Sequence, residues 1–221
     1  MTAGPIALAW SGGKDSALAL TALRREGCDV AALITTFTAD YDRVSMHGVR
    51  RALLRAQAEA VGVPLVEVDI PAACADDVYA DRMEAALRSP PLAALHAVAS
   101  GDLYLQDVRA YREERLRQVG KRALFPLWGL DTAAVAREFL GEGFEAQVVC
   151  VDTRRLDASF VGRAYDASFL GLLPPGVDPC GENGEFHTFV HAGPCFERRV
   201  ARRVGRHVVR GDFAFADLVR G

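Results

Sequence analysis

The segment that most limits how this chain can fold is Trp10-Ser11-Gly12-Gly13-Lys14-Asp15-Ser16. It lies between a short apolar run, Pro5–Trp10, and a helical pattern that begins at Ala17. Ala17, Leu20 and Leu23 recur at helical spacing, and Gly27 suits the position just past a helix end. Strand, tight glycine loop and helix in that order make one βα unit, and similar units follow. Asp29–Phe37 reads as strand and His47–Val61 as helix. Pro64–Ile70 reads as strand and Cys74–Arg88 as a helix, acidic early and basic late as the helix dipole favours. Beyond Ser89-Pro90-Pro91, Ala97–Tyr104 reads as a fourth strand entering a helix over Asp107–Val119. Asp131 as N-cap, helix Thr132–Leu140, glycine stops at Gly141 and Gly143, and strand Ala146–Val151 complete the series. This alternation predicts an α/β domain over residues 1–152, a Rossmann-like parallel sheet with helices on both faces. Right-handed crossovers then set the loops after the strands along one edge, where open sheets of this kind bind ligands.

After about Asp152 the texture changes, and residues 153–221 read as a smaller mixed α+β lobe. It carries Gly181-Glu182-Asn183-Gly184-Glu185-Phe186-His187-Thr188, then a tail from Phe196 that alternates valines with arginines. Arg210-Gly211-Asp212-Phe213 predicts a turn between two strands. A chain of 221 residues buries enough apolar surface to need neither disulfides nor a structural metal. The five cysteines are scattered with no CxxC pair, which suits free thiols in a reducing compartment. There is no secretory leader pattern and no apolar run near the ~20 residues that span a bilayer. A soluble, cytoplasmic protein is expected, without a membrane partner. A net charge of −3 exerts no global pull toward nucleic acid. Arg198, Arg199, Arg202, Arg203, Arg206 and Arg210 read as a solvated strand face, because stacking aromatics are absent until Phe213 and Phe215.

The residues of the first loop suit a phosphate cradle. Gly12 and Gly13 let the backbone approach a ligand and reach positive φ. The helix that follows presents unpaired N–H groups and a partial positive charge. The hydroxyls of Ser11 and Ser16 donate to phosphate oxygens, Lys14 adds a cation, and Asp15 is placed either to orient Mg²⁺ or to cap the helix. A Walker A loop would require glycine where Leu8 stands and Ser or Thr where Asp15 stands, and G-x-G-x-x-G is absent. The second constellation gathers Glu182, Glu185 and His187 within a turn-rich segment. Such a set can hold an amine, position Mg²⁺ or move protons. By composition alone a solvated polar turn accounts for it equally well.

At Ser11–Ser16 the sequence resembles the ATP pyrophosphatase (PP-loop) superfamily, whose signature is SGGxDS. Gly-Glu-Asn-Gly-Glu-Phe-His-Thr is similar to the C-terminal signature of its diphthine–ammonia ligase branch. Weaker similarities lie at Ser45-Met46-His47-Gly48, Gly101–Arg115, Pro126-Leu127-Trp128 and Asp157–Asp166, so the likeness spans the chain. Gln106 departs from the pattern, since an acidic residue is expected there. The resemblance implies a HUP-type sheet and an enzyme that uses Mg·ATP to adenylate a carboxylate, releases pyrophosphate, and transfers ammonia or an amine. It implies Lys14, Glu182, Glu185 and His187 as catalytic residues, and Ser11–Ser16, His47 and Gly101 around the nucleotide. Asn183, Gly184, Thr188 and Arg163 are expected around the substrate, with Asp15 toward the metal. The expected partners are a small-molecule or protein-borne carboxylate and ammonia, and a homodimer is compatible with the sequence. Lys14 and Lys121 are the only lysines among 26 basic residues, a bias resembling GC-rich bacterial genomes, so an acceptor other than diphthine is expected. The competing readings are a tRNA-modifying PP-loop enzyme and a non-catalytic nucleotide sensor.

Overall fold

The computed structural model describes residues 4–221. Its strands are β1 (Ile6–Ala9), β2 (Val30–Thr38), β3 (Arg43–Val44), β4 (Leu65–Ile70), β5 (Ala97–Ala99), β6 (Arg122–Leu124), β7 (Glu145–Asp152), β8 (Ala164–Tyr165), β9 (Phe186–Ala192), β10 (Arg202–Arg210) and β11 (Phe213–Arg220). The helices are α1 (Lys14–Arg25), α2 (Arg51–Val61), α3 (Asp76–Leu87), α4 (Gln106–Gln118), α5 (Thr132–Gly141) and α6 (Ala167–Leu172). In the first sheet β2 pairs with β1 and β4, β1 with β5, and β5 with β6, all parallel, while short β3 pairs antiparallel with the end of β2.

Alternation along the strands assigns the two faces of this sheet. Ile6, Leu8, Leu33 and Phe37 pack in one cluster with Leu20 and Leu23 of α1 and Leu53 and Leu54 of α2. Ala7, Ala32, Ile34, Val68 and Val98 point the other way, against Leu87 of α3 and Leu116 of α4. Helices thus cover both faces, and the α/β architecture expected from the periodicity is present.

The second sheet is antiparallel, with β7 bonded to β8, β9 and β11, and β11 to β10. The strand expected over Ala146–Val151 therefore does not extend the parallel sheet. It is the centre of the second one. Its run of buried residues fits either position, and only the antiparallel partners decide. Val148, Val149, Val151, Phe189 and Val190 join the same cluster as Leu8 and Leu20, so one core runs through both sheets.

Two boundaries shift for local reasons. The helix expected from His47 starts at Arg51, because Met46 (φ 66°) and Gly48 (φ 71°) are left-handed and hold Ser45–Gly48 in a tight turn. The strand expected over Ala97–Tyr104 ends at Ala99, which frees Ser100–Leu105 to cross the edge of the sheet.

Candidate active site

The first loop lies where β1 ends at the centre of the sheet. Strand order reverses there, β1 leading to β2 on one side while β5 lies on the other, so a crevice opens between diverging connections. The cleft encloses about 710 Å³ and is lined by Ser11, Gly13–Ser16, Ser45–His47, Ser100–Asp102, Cys180–Glu182, Gly184 and Phe186–Thr188.

The loop is held rigidly from both sides. Gly13 N donates to Ser11 Oγ at 3.3 Å, and Ser16 Oγ donates to Gly13 O at 2.9 Å. Strand β9 of the second sheet lies alongside, with Val190 N donating to Gly12 O at 2.9 Å and Lys14 N to Thr188 Oγ1 at 3.0 Å. From the other side comes Gln57 of α2, fully buried. It accepts from Trp10 Nε1 at 2.7 Å and donates to Gly12 O at 2.9 Å and Val190 O at 2.6 Å. Gly12 has φ 77°, and a Cβ there would lie 2.5 Å from Gln57 Oε1. Gly101, in the loop after β5, packs so closely on the start of α1 that a Cβ would meet Asp15 O at 2.8 Å.

Lys14 is 3% exposed. Its Nζ donates to Asp15 Oδ1 at 2.9 Å and Oδ2 at 2.8 Å, and to the carbonyl of Cys180. Burial works to lower its pKa, but Asp15, Cys180 and Glu182 outweigh it and raise the value, so the cation is retained. Asp15 does not cap the helix. Gly13 holds the N-cap position with no side-chain cap, and the Asp15 carboxylate is turned to Lys14.

The Gly181–Thr188 segment roofs this floor. Glu182 Oε1 accepts from Leu103 N at 2.8 Å, and burial, aided by Asp15 and Asp102, pushes its carboxyl up to about 7. Glu185 behaves differently: it is 1% exposed and faces inward. Its carboxylate accepts from Asp178 N at 3.2 Å, Asn183 N at 3.0 Å and Asn183 Nδ2 at 3.0 Å, closing the turn rather than reaching the cleft. Asn183 itself is exposed outside the lining. His187 stacks on His47 with ring centroids 4.3 Å apart. Burial, with Lys14 adding to it, lowers His187 to about 4, and burial and His187 hold His47 well below the ordinary imidazole value, so both rings are neutral at pH 7. His47 Nδ1 is buried without a hydrogen-bond partner.

Of the residues expected around the site, Glu185 and Asn183 stand outside the cleft lining, and Arg163 is placed elsewhere altogether. Its Nε donates to Ser159 O at 2.9 Å and its guanidinium covers the Phe160 ring, away from the cleft. Two groups escaped the sequence reading. Cys180 supplies a carbonyl to Lys14, and nothing in its residue type announces that. Gln57 was legible in principle: with Leu53, Leu54 and Val61 it falls on the apolar stripe of α2, and an amide there must find partners inside. Arg112 and Asp102 form an ion pair of 2.8 Å on the cleft wall. Among the described residues no three His, Cys, Asp or Glu side chains cluster to hold a metal, and no helix is long and apolar enough to cross a membrane.

Two family models cover nearly the whole chain. The diphthamide synthase N-terminal domain matches residues 4–123, and the diphthamide synthase C-terminal domain matches residues 131–220. Similar proteins include the diphthine–ammonia ligase of Danio rerio, 26% identical over 232 residues that cover 94% of this chain and 90% of that protein. That of Rattus norvegicus is 25% identical over 235 residues, covering 94% and 86%. The glycine loop and the Gly181–Thr188 roof that meet across the cleft fall one in each matched domain. The chain belongs to the diphthamide synthase family.

Proposed function

We propose that this protein is an ATP-dependent ligase that cleaves ATP between the α- and β-phosphates and joins an acceptor carboxylate to ammonia or an amine. The observation that carries this reading is the pairing across the cleft of a buried, charged Lys14 at a helix start with Glu182, a carboxyl poised near neutrality. The relatives named as ligases lend support at the level of the family.

The cleft is roomy enough for a nucleotide and shaped for phosphate. Gly13 sits so that a Cβ would come within 3.2 Å of Thr188 O and 3.3 Å of Ser11 Oγ, which leaves backbone-only space at the α1 N-terminus. His47 Nδ1 is available to a ligand polar group. Mg²⁺ commonly takes one or two carboxylates and completes its shell with phosphate oxygens. Asp15 is the residue that would hold it, once the Lys14 ammonium turns from that carboxylate to the phosphates. The ion would supply neutralisation of phosphate charge.

In the first half-reaction an acceptor carboxylate oxygen forms a bond to the α-phosphorus. The bond to the bridging oxygen breaks, and pyrophosphate leaves with the electron pair. Lys14 and the N–H groups at the start of α1 stabilise that charge. In the second, the amine nitrogen bonds to the acyl carbon and AMP departs. Glu182, anchored by Leu103 N, takes the proton that the ammonium must lose. Glu185 holds the turn that presents Glu182. Neutral His187 and His47 line the nucleotide side, Gly101 and Thr188 fix the loop, and Gly184, left-handed at φ 81°, turns the chain of the roof.

The test is the identity of the nucleotide products. Incubation with Mg·ATP, ammonium and a metabolite extract should give AMP and pyrophosphate. In Lys14→Ala the rate should drop about 10²- to 10³-fold, as for loss of one charge-stabilising donor. ADP and phosphate would overturn the reading.

A further inference from the structure

Beside the nucleotide cleft lies a second groove of about 310 Å³. One wall is β3 with the Ser45–Gly48 turn, and the other is the outward face of the β10–β11 hairpin. Thr38, Val44 and Met46 line both cavities, so the groove opens onto the cleft. The partition between them is a single turn. On the cleft side His47 Cε1 lies 3.4 Å from where a Cβ on Gly13 would be. On the groove side a Cβ on Gly48 would lie 2.7 Å from Phe215 Cδ1. Met46 forms the shared rim, left-handed and 67% exposed.

The groove mixes apolar surface with uncompensated positive charge. Half-buried Phe213, Phe215 and Val208 supply the apolar part. Asp217 is already neutralised, bonded by Arg43 at 3.0 Å and by Arg50 at 2.7 Å. Arg206 and Arg210 have no carboxylate partner among the described residues, and the Arg210 guanidinium lies 5.1 Å from the centre of the Tyr41 ring. The Tyr41 face is thus already covered by a guanidinium, and the free charge in the groove is positive.

Resting on the ligase reading, we infer that this groove seats the acceptor, an anionic compound with at least two acidic groups. Its reacting carboxylate enters the cleft past Met46. Its apolar or planar body lies along Phe213 and Phe215, and its second anionic group meets Arg206 and Arg210. The same arginines disfavour a cationic acceptor, so the groove selects by charge as well as shape.

The experiment is a binding titration of the whole protein saturated with α,β-methylene ATP. Three probes share one planar body: terephthalate, 4-methylbenzoate and 4-(trimethylammonio)benzoate. Terephthalate should bind saturably, and the other two about tenfold or more weakly, a difference of about 1.4 kcal/mol. Arg206→Ala/Arg210→Ala should reduce terephthalate to the level of 4-methylbenzoate and leave affinity for the ATP analogue unchanged. Arg206→Lys/Arg210→Lys should retain most of the binding. Absence of saturable terephthalate binding, equal binding of all three probes, or an unchanged affinity in the double alanine variant would overturn the assignment. The two readings separate cleanly. Charge-selective binding in a protein that makes ADP sinks the ligase and leaves the anion subsite. AMP formation with an acceptor KM that does not rise in the double alanine variant sinks the subsite and leaves the ligase.

Discussion

Gln57→Leu should uncouple the phosphate loop from the strand that braces it. The side chain is 0% exposed and makes three hydrogen bonds, to Trp10 Nε1, Gly12 O and Val190 O. Leucine has a similar volume and helix propensity, so the change removes the bonds and little else. Three buried neutral bonds are worth about 1 kcal/mol each, and an orphaned Trp10 N–H adds about 1 more. Gly12 O is spared the full penalty because Val190 N still donates to it. Burying an apolar group in place of the amide returns part of this, leaving a net loss of about 3 kcal/mol. For a chain of this size that is a fall of about 10 °C in Tm. Urea unfolding followed by tryptophan fluorescence, with the affinity for an ATP analogue measured alongside, checks it. A loss below about 1 kcal/mol, within the scatter of an ordinary surface substitution, together with unchanged nucleotide affinity would refute the brace.

Gly48→Ala and Gly120→Ala make a controlled pair, since both glycines have φ 71° but only at Gly48 would an added Cβ meet Phe215, at 2.7 Å. Gly120→Ala should cost about 1 kcal/mol in unfolding free energy, and Gly48→Ala about 2–3 kcal/mol; equal losses would count against the packed turn. Wild-type turnover should rise with pH through about 7 as Glu182 ionises, while Glu182→Gln should be flat and about 10²- to 10⁴-fold slower. A pH–rate profile shared by the two proteins would remove Glu182 from proton transfer. His187 is held neutral, down from an ordinary 6.5 to about 4. Across that window the unfolded chain binds more protons than the folded one, so the His187 contribution is present above pH 6.5 and is lost as pH falls toward 4. The stability advantage of wild type over His187→Gln should therefore shrink by about 2 kcal/mol over that range, allowing for the partial exposure of the ring. Denaturant titrations at several pH values would show it, and a constant difference would contradict a desolvated imidazole.

What the sequence determined is what is encoded within a few neighbouring residues. The Ser11–Ser16 loop needs only a strand before it, glycines in it and a helix after it, so its place at the edge of a parallel sheet was readable. Asp131 as N-cap is equally local, accepting from Ala134 N at 2.8 Å, and so is the hairpin turn at Gly211, with φ 55°. The tertiary structure decided the pairings between distant segments, which one-dimensional periodicity does not carry. Strand β7 has a buried pattern that suits either sheet, and only hydrogen bonding to β8, β9 and β11 assigns it. Glu182 and Glu185 lie close together on the same turn and are indistinguishable by type. One meets Leu103 N across the cleft and is desolvated there, and the other folds back on Asp178 and Asn183. Arg163 and Asn183 were grouped with the site by resemblance, but their side chains lie outside the cleft. Arg206 and Arg210 read as a solvated strand face, and they acquire a direction only because β11 brings them beside Tyr41 and Met46. A side chain's chemistry depends on its dielectric surroundings and on which charges stand within a few ångströms, and those are set by contacts between residues far apart in the chain.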